Sequence, residues 1–251
     1  LSICGCAIID PEAQWIGWLF IVPPMTTESP LVVCPLEHER RCLVRAGLRD
    51  RCELHVCGPG SAAVARWGET VPMDSRLVIL AGLAGALRQD IAPGAAEVIG
   101  SVRRPSQPDL LPVVREGGLW TVASASEALR DRDAKQRFAA ATGADLVDME
   151  SQAFAELAAQ RRWRWAIVRG VSDSLEMALP RDINSWVDAR GRSRPLRIVI
   201  SIMRRPRDGA TVLQLARHSA SAMDQVARCI NRLLDRLRDA PGPPPDQADG
   251  H

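Results

Sequence analysis

Two carboxylates stand where a chain can use them for chemistry. Glu150 closes the stretch Gly143-Ala-Asp-Leu-Val-Asp148-Met149-Glu150, in which a short apolar run leads into an Ala-rich helical pattern; Asp173 closes the run Trp165-Ala-Ile-Val-Arg169-Gly170-Val171-Ser172-Asp173. Both runs read as strands, so both acids fall at strand ends. In open α/β sheets, ligands bind in the crevice beyond the carboxyl ends of the strands, and two acids facing one crevice suit chemistry on a sugar. Each acid alone has a plainer reading. Glu150 fits the positive end of a helix dipole, and Asp173 fits a helix cap or a turn. Their occurrence together favours a site.

The elements that must position these acids alternate in type. Residues 31–34 and 54–57 read as strands, each followed by a helix, at 37–48 and 62–67. The second strand ends in Gly58-Pro59-Gly60-Ser61, a turn whose free amides can cradle an anion or a substrate edge, and which is equally a common strand-to-helix turn. It lacks the third glycine of a dinucleotide fingerprint, which argues against a dinucleotide-binding oxidoreductase. Residues 77–80 form a further strand that runs into a turn of small residues, 81–87. Strands are predicted at 96–102 and 118–124, and a helix at 132–142. From residue 212 onward, Met223, Val226, Ala227, Ile230, Leu233, Leu234 and Leu237 keep helical spacing on one face. Strands alternating with helices predict an α/β sandwich with a mostly parallel sheet.

A chain of 251 residues, 46% apolar, suits one large domain. The net charge of +2 gives no electrostatic footprint for nucleic acid. The basic residues are nearly all arginine, with Lys135 the only lysine. The seven cysteines form no Cys-x-x-Cys pair and no zinc-type set with histidine, so reduced structural thiols in a cytoplasm are expected, with no metal and no cofactor. The apolar run from Trp15 to Val22 is too short to span a bilayer and follows Asp10 and Glu12 rather than a basic flank. A domain over 25–238 is therefore expected, preceded by an appendage at 1–24 and followed by a disordered Pro-rich tail at 239–251.

Asp148-Met149-Glu150 ahead of an Ala-rich helix, then a strand ending Arg169-Gly-Val-Ser-Asp173, resembles the signature of the purine nucleoside phosphorylase and 5′-methylthioadenosine/S-adenosylhomocysteine nucleosidase family. The resemblance covers roughly residues 31–173. It implies a three-layer sandwich around a mixed, mostly parallel, partly barrel-like sheet. It also implies cleavage of the N-glycosidic bond of a 5′-substituted adenosine with release of adenine, in a homo-oligomer. Asp173 becomes the general acid at purine N7, with a pKa raised by burial beside apolar groups, and Ser172 lies next to it in the substrate site. Glu150 accepts hydrogen bonds from the ribose hydroxyls and Met149 packs under the sugar. Gly82 and Leu83 lie beneath the ribose and the attacking group, and Ala128 and Leu129 surround the purine. Leu83 replaces a small hydroxyl residue and Ala128 an aromatic one, which predicts one polar contact fewer and looser stacking, and leaves a non-catalytic nucleoside-binding protein as an alternative.

The attacking group separates two reaction types. In Cys34-Pro35-Leu36-Glu37-His38-Glu39-Arg40-Arg41, Glu39 matches the family glutamate that activates water, and Glu37 stands where one phosphorylase branch has its phosphate arginine. Hydrolysis is favoured, while Arg40 and Arg41 keep phosphate open as a co-substrate. The plain reading of this cluster is a solvated first helical turn. Beyond Asp173, the segment with Leu179-Pro-Arg-Asp182 looks most like the hopanoid-associated phosphorylase subgroup, whose substrate is adenosylhopane. Leu175, Met177, Leu179 and Trp186 are then expected to give apolar surface on a lid. With the arginines from Arg190 to Arg207, that lid suggests peripheral contact with an anionic membrane, the alternative being a covered lid or a subunit interface.

Overall fold

The computed structural model describes residues 29–72, 76–114 and 118–239. The expectations for an appendage at 1–24 and for the tail beyond Asp239 lie outside the described residues. In chain order the elements are β1 (Leu31–Cys34), α1 (Glu37–Arg45), β2 (Glu53–Val56), α2 (Ser61–Thr70), β3 (Leu77–Ala86), β4 (Ala96–Val98), β5 (Ser101–Arg104), β6 (Gln107–Leu110), β7 (Thr121–Ser124), α3 (Arg132–Thr142), β8 (Leu146–Asp148), α4 (Ser151–Arg161), β9 (Arg164–Asp173), α5 (Pro195–Arg204) and α6 (Gly209–Asp239).

The described strands make one mixed sheet in the order β2-β1-β3-β8-β7-β5-β6, with β9 pairing to β3 and β4. Neighbours are parallel except β3 with β8, β4 with β9, and β5 with β6. The central strand β3 shows why the sheet must be covered on both faces. Because successive side chains point to opposite sides, Val78, Leu80, Ala84 and Ala86 enter one core with Val64 and Trp67 of α2 and Phe154 and Ala155 of α4. Leu77, Ile79 and Ala81 enter the other, with Leu43 of α1 and Met223, Val226 and Ile230 of α6. A strand buried on both faces reads as a continuous apolar run. The result is the expected three-layer, mixed sheet flanked by helices.

Three elements differ from expectation. Residues 81–87 are no turn, because β3 continues to Ala86, paired with β9 from Leu77↔Arg164 to Gly85↔Asp173 with a shift of register between Ala84 and Gly85. A ladder of bonds to β9, and to β8 at Gly85 and Ala86, holds these small residues extended. The run 96–102 divides into two strands because its halves pair differently, β4 with β9 and β5 with β7. The arginine-rich segment contains a helix, α5, which the reading by composition passed over. The stripe on α6 is buried as its spacing predicts.

Candidate active site

Glu39 sits in the first turn of α1, directly after β1 and the turn Pro35-Leu36. Its side chain folds back over the helix start, Oε2 accepting from the Leu36 amide at 2.8 Å and Oε1 from the Leu83 amide at 2.9 Å. Only 2% of it is exposed, so the turn is not solvated at this position. Burial raises its pKa to about 7, against the opposing pull of Arg169 and the two backbone amides. Glu37 does the opposite. It pairs with Arg40 at 2.8 Å and Arg41 at 3.1 Å, and the hydrogen bond from Arg40 brings its pKa down to about 2. Both arginines are thereby engaged with Glu37 rather than with Glu39.

Glu150 stands at the N-cap position of α4 after β8, its side chain turned away from the helix amides, and is likewise buried. Its Oε1 accepts from the Gly60 amide at 2.7 Å, so the glycine turn before α2 holds a carboxylate of the protein itself. Burial, with the neighbouring Asp148 carboxylate adding to it, raises the Glu150 pKa to about 7. Between these acids lies Arg169, a fully buried cation in the middle of β9. It pairs with Asp148, lies 3.6 Å from Glu150 Oε2, and contacts Ser151 Oγ at 3.3 Å. Its Nη1 is buried without a hydrogen-bond partner. A Cβ placed on Gly82 would lie 2.7 Å from that Nη1 and 2.8 Å from Glu39 Oε1. Only glycine lets the two side chains close over β3 here.

Asp173 is buried at the end of β9, three β3 positions further along, where a Cβ on Gly85 would come within 3.0 Å of its Oδ2. Its surroundings correct the expectation of an apolar pocket. Lys135 Nζ, 1% exposed on α3, donates to Asp173 Oδ2 at 2.6 Å, to the Ser174 carbonyl at 2.6 Å and to the Met177 carbonyl at 3.2 Å. The Ser172 hydroxyl lies 2.6 Å from Asp173 Oδ1 and 3.2 Å from the Ala84 carbonyl, and with one proton it donates to one of them at a time.

The structure therefore gathers Glu39, Glu150 and Gly82 around Arg169, with the Leu83 amide bound to Glu39, and sets Asp173 and Ser172 further along the same pair of strands. Leu83 takes part through its backbone, and its side chain packs into the core under α1 and α6. Met149 is half-buried between Asp148 and Glu150. Ala128 and Leu129 lie in the β7–α3 loop, both half-buried. Leu129 packs against Leu87, Ala123 and Val147, and no bond joins this pair to the carboxylates. The loop is tied to the segment after Asp173 by the Leu179 amide donating to the Arg130 carbonyl at 2.8 Å. The expected lid surface is largely covered: Leu175 and Trp186 are buried, and Met177 and Leu179 half-buried. The described cysteines are free thiols.

Arg169 and Lys135 are the buried partners of the candidate site's acids that reasoning from the sequence missed. A cation inside Ile-Val-Arg-Gly-Val is a sign in itself, since a charge within a doubly buried strand must be paired. The sole lysine of an arginine-biased chain was a weaker one.

The raised pKa values carry a stability signature. Unfolded, Glu39 and Glu150 titrate near the ordinary 4.5, and folded near about 7. Between those values the folded state binds more protons than the unfolded, so stability is full below the lower value and falls as pH rises through the higher one. Urea unfolding should show a lower midpoint at about pH 8 than at about pH 5. A midpoint that climbs across this window would mean that both carboxylates are already ionised in the folded protein at the lower pH.

Comparisons with known proteins agree with this architecture. Residues 106–204, from the β5–β6 turn to the end of α5, match the sequence model of the Phosphorylase superfamily. No curated protein sequence matches the chain. Among solved structures, an S-adenosylhomocysteine nucleosidase from Streptococcus pyogenes, in complex with 5-methylthiotubericidin, is 16% identical with a TM-score of 0.61. That match covers 85% of this chain and 98% of that one. A 5′-methylthioadenosine/S-adenosylhomocysteine nucleosidase from Colwellia psychrerythraea, in complex with adenine, is 12% identical with a TM-score of 0.59, covering 86% and 98%. Futalosine hydrolase of Helicobacter pylori is 10% identical with a TM-score of 0.59, covering 83% and 98%. At these identities the likeness is one of fold. Over residues 106–204 in sequence, and over the fold as a whole, the chain is similar to the Phosphorylase superfamily and to these nucleosidases and hydrolases.

Proposed function

We propose that this protein hydrolyses the N-glycosidic bond of a 5′-substituted adenosine and releases adenine. The observation that carries this reading is the convergence of Glu39 Oε1 and the unpartnered Arg169 Nη1 over Gly82, with Glu150 beside them. A water held there donates to Glu39 and accepts from Arg169. With a pKa of about 7, Glu39 is poised to take a proton near neutral pH. Glu150 receives the ribose hydroxyls and places negative charge near the developing oxocarbenium centre. At the other end, the Lys135 ammonium gives a proton to the Asp173 carboxylate as that carboxyl passes it to N7 of the departing purine, so that Lys135 ends neutral until solvent recharges it. Ser172 steadies the carboxyl, Met149 packs under the sugar, and Ala128 and Leu129 border the base.

Water is favoured over phosphate on electrostatic grounds. Arg169 already faces Asp148, Glu150 and Glu39, and Arg40 and Arg41 are engaged with Glu37. A phosphate dianion would meet net like charge in a desolvated site. The 5′ group we assign is large and apolar, as in adenosylhopane, on the strength of the likeness around Leu179-Pro-Arg-Asp182 to the hopanoid-associated subgroup. Adenine release from methylthioadenosine and from adenosylhopane, assayed in phosphate-free buffer, tests both points. Turnover should persist without phosphate, favour the larger substrate, and drop roughly 10²- to 10⁴-fold in Glu39→Gln. Strict phosphate dependence with a ribose 1-phosphate-type product would move the chain to phosphorolysis.

A further inference from the structure

Helix α5 presents Leu196, Val199, Ile200 and Met203, spaced i, i+3, i+4 and i+7, along one face. Their side chains are 70%, 51%, 37% and 75% exposed. Single exposed apolar residues are ordinary, but four adjoining ones on one short helix make a patch that marks an interaction site. The helix is held in this orientation. Ser201, on its buried side, donates to Asp182 at 2.8 Å, and the Arg194 amide at its start donates to the Trp186 carbonyl at 2.7 Å. Charge gathers at the same place. Between Asp188 and Asp208 the chain has seven arginines and no acid, while its overall net charge is only +2, so the rest is net acidic. All seven arginines are exposed.

We propose that α5 docks this protein on an anionic lipid bilayer, with Leu196, Val199, Ile200 and Met203 entering the headgroup–acyl boundary and the flanking arginines lying among the headgroups. An exposed apolar face rimmed by cations is the composition of a helix that lies in a membrane interface, and arginines near an anionic surface add attraction. Charge decides between this occupant and a second copy of the chain. A two-fold contact places the same patch on both subunits, which here would bring seven arginines against seven. No described helix is long and apolar enough to cross a membrane, so the contact is with the surface.

The docking helix is attached to segments that neighbour Glu39 and Asp173 in the chain. Just before it, the Gly191 carbonyl accepts from the Glu37 amide at 2.9 Å, and Arg192, Ser193 and Pro195 share a cleft with Glu37, His38 and Arg41. Its other attachments, Asp182 and Trp186, belong to the segment that follows Asp173. Docking therefore brings the start of α1 and the segment after Asp173 close to the lipid surface. That a lipid-like 5′ group enters from there rests on the function proposed above, whereas docking itself does not.

Co-sedimentation of the purified full chain with vesicles tests the inference, using phosphatidylglycerol–phosphatidylcholine mixtures against pure phosphatidylcholine. Binding is expected to the mixed vesicles, to weaken with added salt, and to fall on the order of tenfold or more in Leu196→Glu/Met203→Glu and in Arg197→Glu/Arg204→Glu. Both pairs of positions are exposed, and unchanged thermal unfolding serves as the folding control. Equal binding by parent and variants, or no binding to the anionic vesicles, overturns the proposal. So does a parent dimer that dissociates in Leu196→Glu/Met203→Glu without vesicle binding, which would make this face a subunit interface. Vesicle binding by a protein that releases no adenine would leave docking intact and refute the nucleosidase reading.

Discussion

Asp173→Asn is expected to lower turnover by roughly 10²- to 10⁴-fold, the range that a positioned general acid contributes, with a smaller effect on KM. Asparagine keeps the shape and a hydrogen-bond acceptor for Lys135, and removes the carboxylate through which the proton passes to the purine. It also removes the counter-charge of a buried ammonium 2.6 Å away, so stability must be read in parallel. Turnover is therefore to be expressed per folded protein, with the folded fraction fixed by circular dichroism and thermal unfolding at the assay temperature. Near-parental turnover in correctly folded Asp173→Asn would remove Asp173 from the chemistry and leave it as the partner that neutralises Lys135.

Arg169→Leu should destabilise the fold by roughly 3–5 kcal/mol, the cost of leaving a buried charge without its partner. Here the penalty is spread over Asp148, Glu150 and Glu39, which all face the lost guanidinium. It also has a pH dependence that an ordinary cavity lacks. Arg169 holds the Glu39 and Glu150 pKa values down, so without it both carboxylates take up protons more readily and the variant recovers part of the loss in mildly acidic buffer. Urea unfolding of parent and variant at two pH values measures it. The same stability loss at both would mean that Arg169 matters through its packed volume and not through its charge.

The arrangement of strands and helices was legible because burial on both faces leaves a local trace. The apolar runs at 31–34 and 165–173 and the stripe on α6 each became the element they predicted. What failed was pairing at long range. A run such as Ala-Gly-Leu-Ala-Gly-Ala suits a turn as well as a strand, and only the bonds that β8 and β9 make to β3 decide between them. The carboxylates were legible from their positions at strand ends, but their counter-ions were not, since Arg169 stands out only once its strand is known to be buried and Lys135 arrives from a helix 38 residues before Asp173. Exposure was the least legible property. The spacing on α5 is as regular as that on α6, yet one stripe is bare and the other covered, because periodicity defines a face without saying what lies against it.

The unbroken passage of β3 through the site limits how such a protein can be retuned. Gly82 and Gly85 lie under the two reacting ends of the proposed substrate, where any side chain would strike Glu39, Arg169 or Asp173. The same strand is clamped by β1 and β9 along its first half and by β8 and β9 beyond, so the floor can neither grow nor sink. New substrate preferences must therefore come from the rim, through the 125–131 loop and the 174–186 segment, whose side chains can change size without disturbing the paired backbone. Directed evolution of this scaffold would do best to randomise those two segments and to leave β3 untouched.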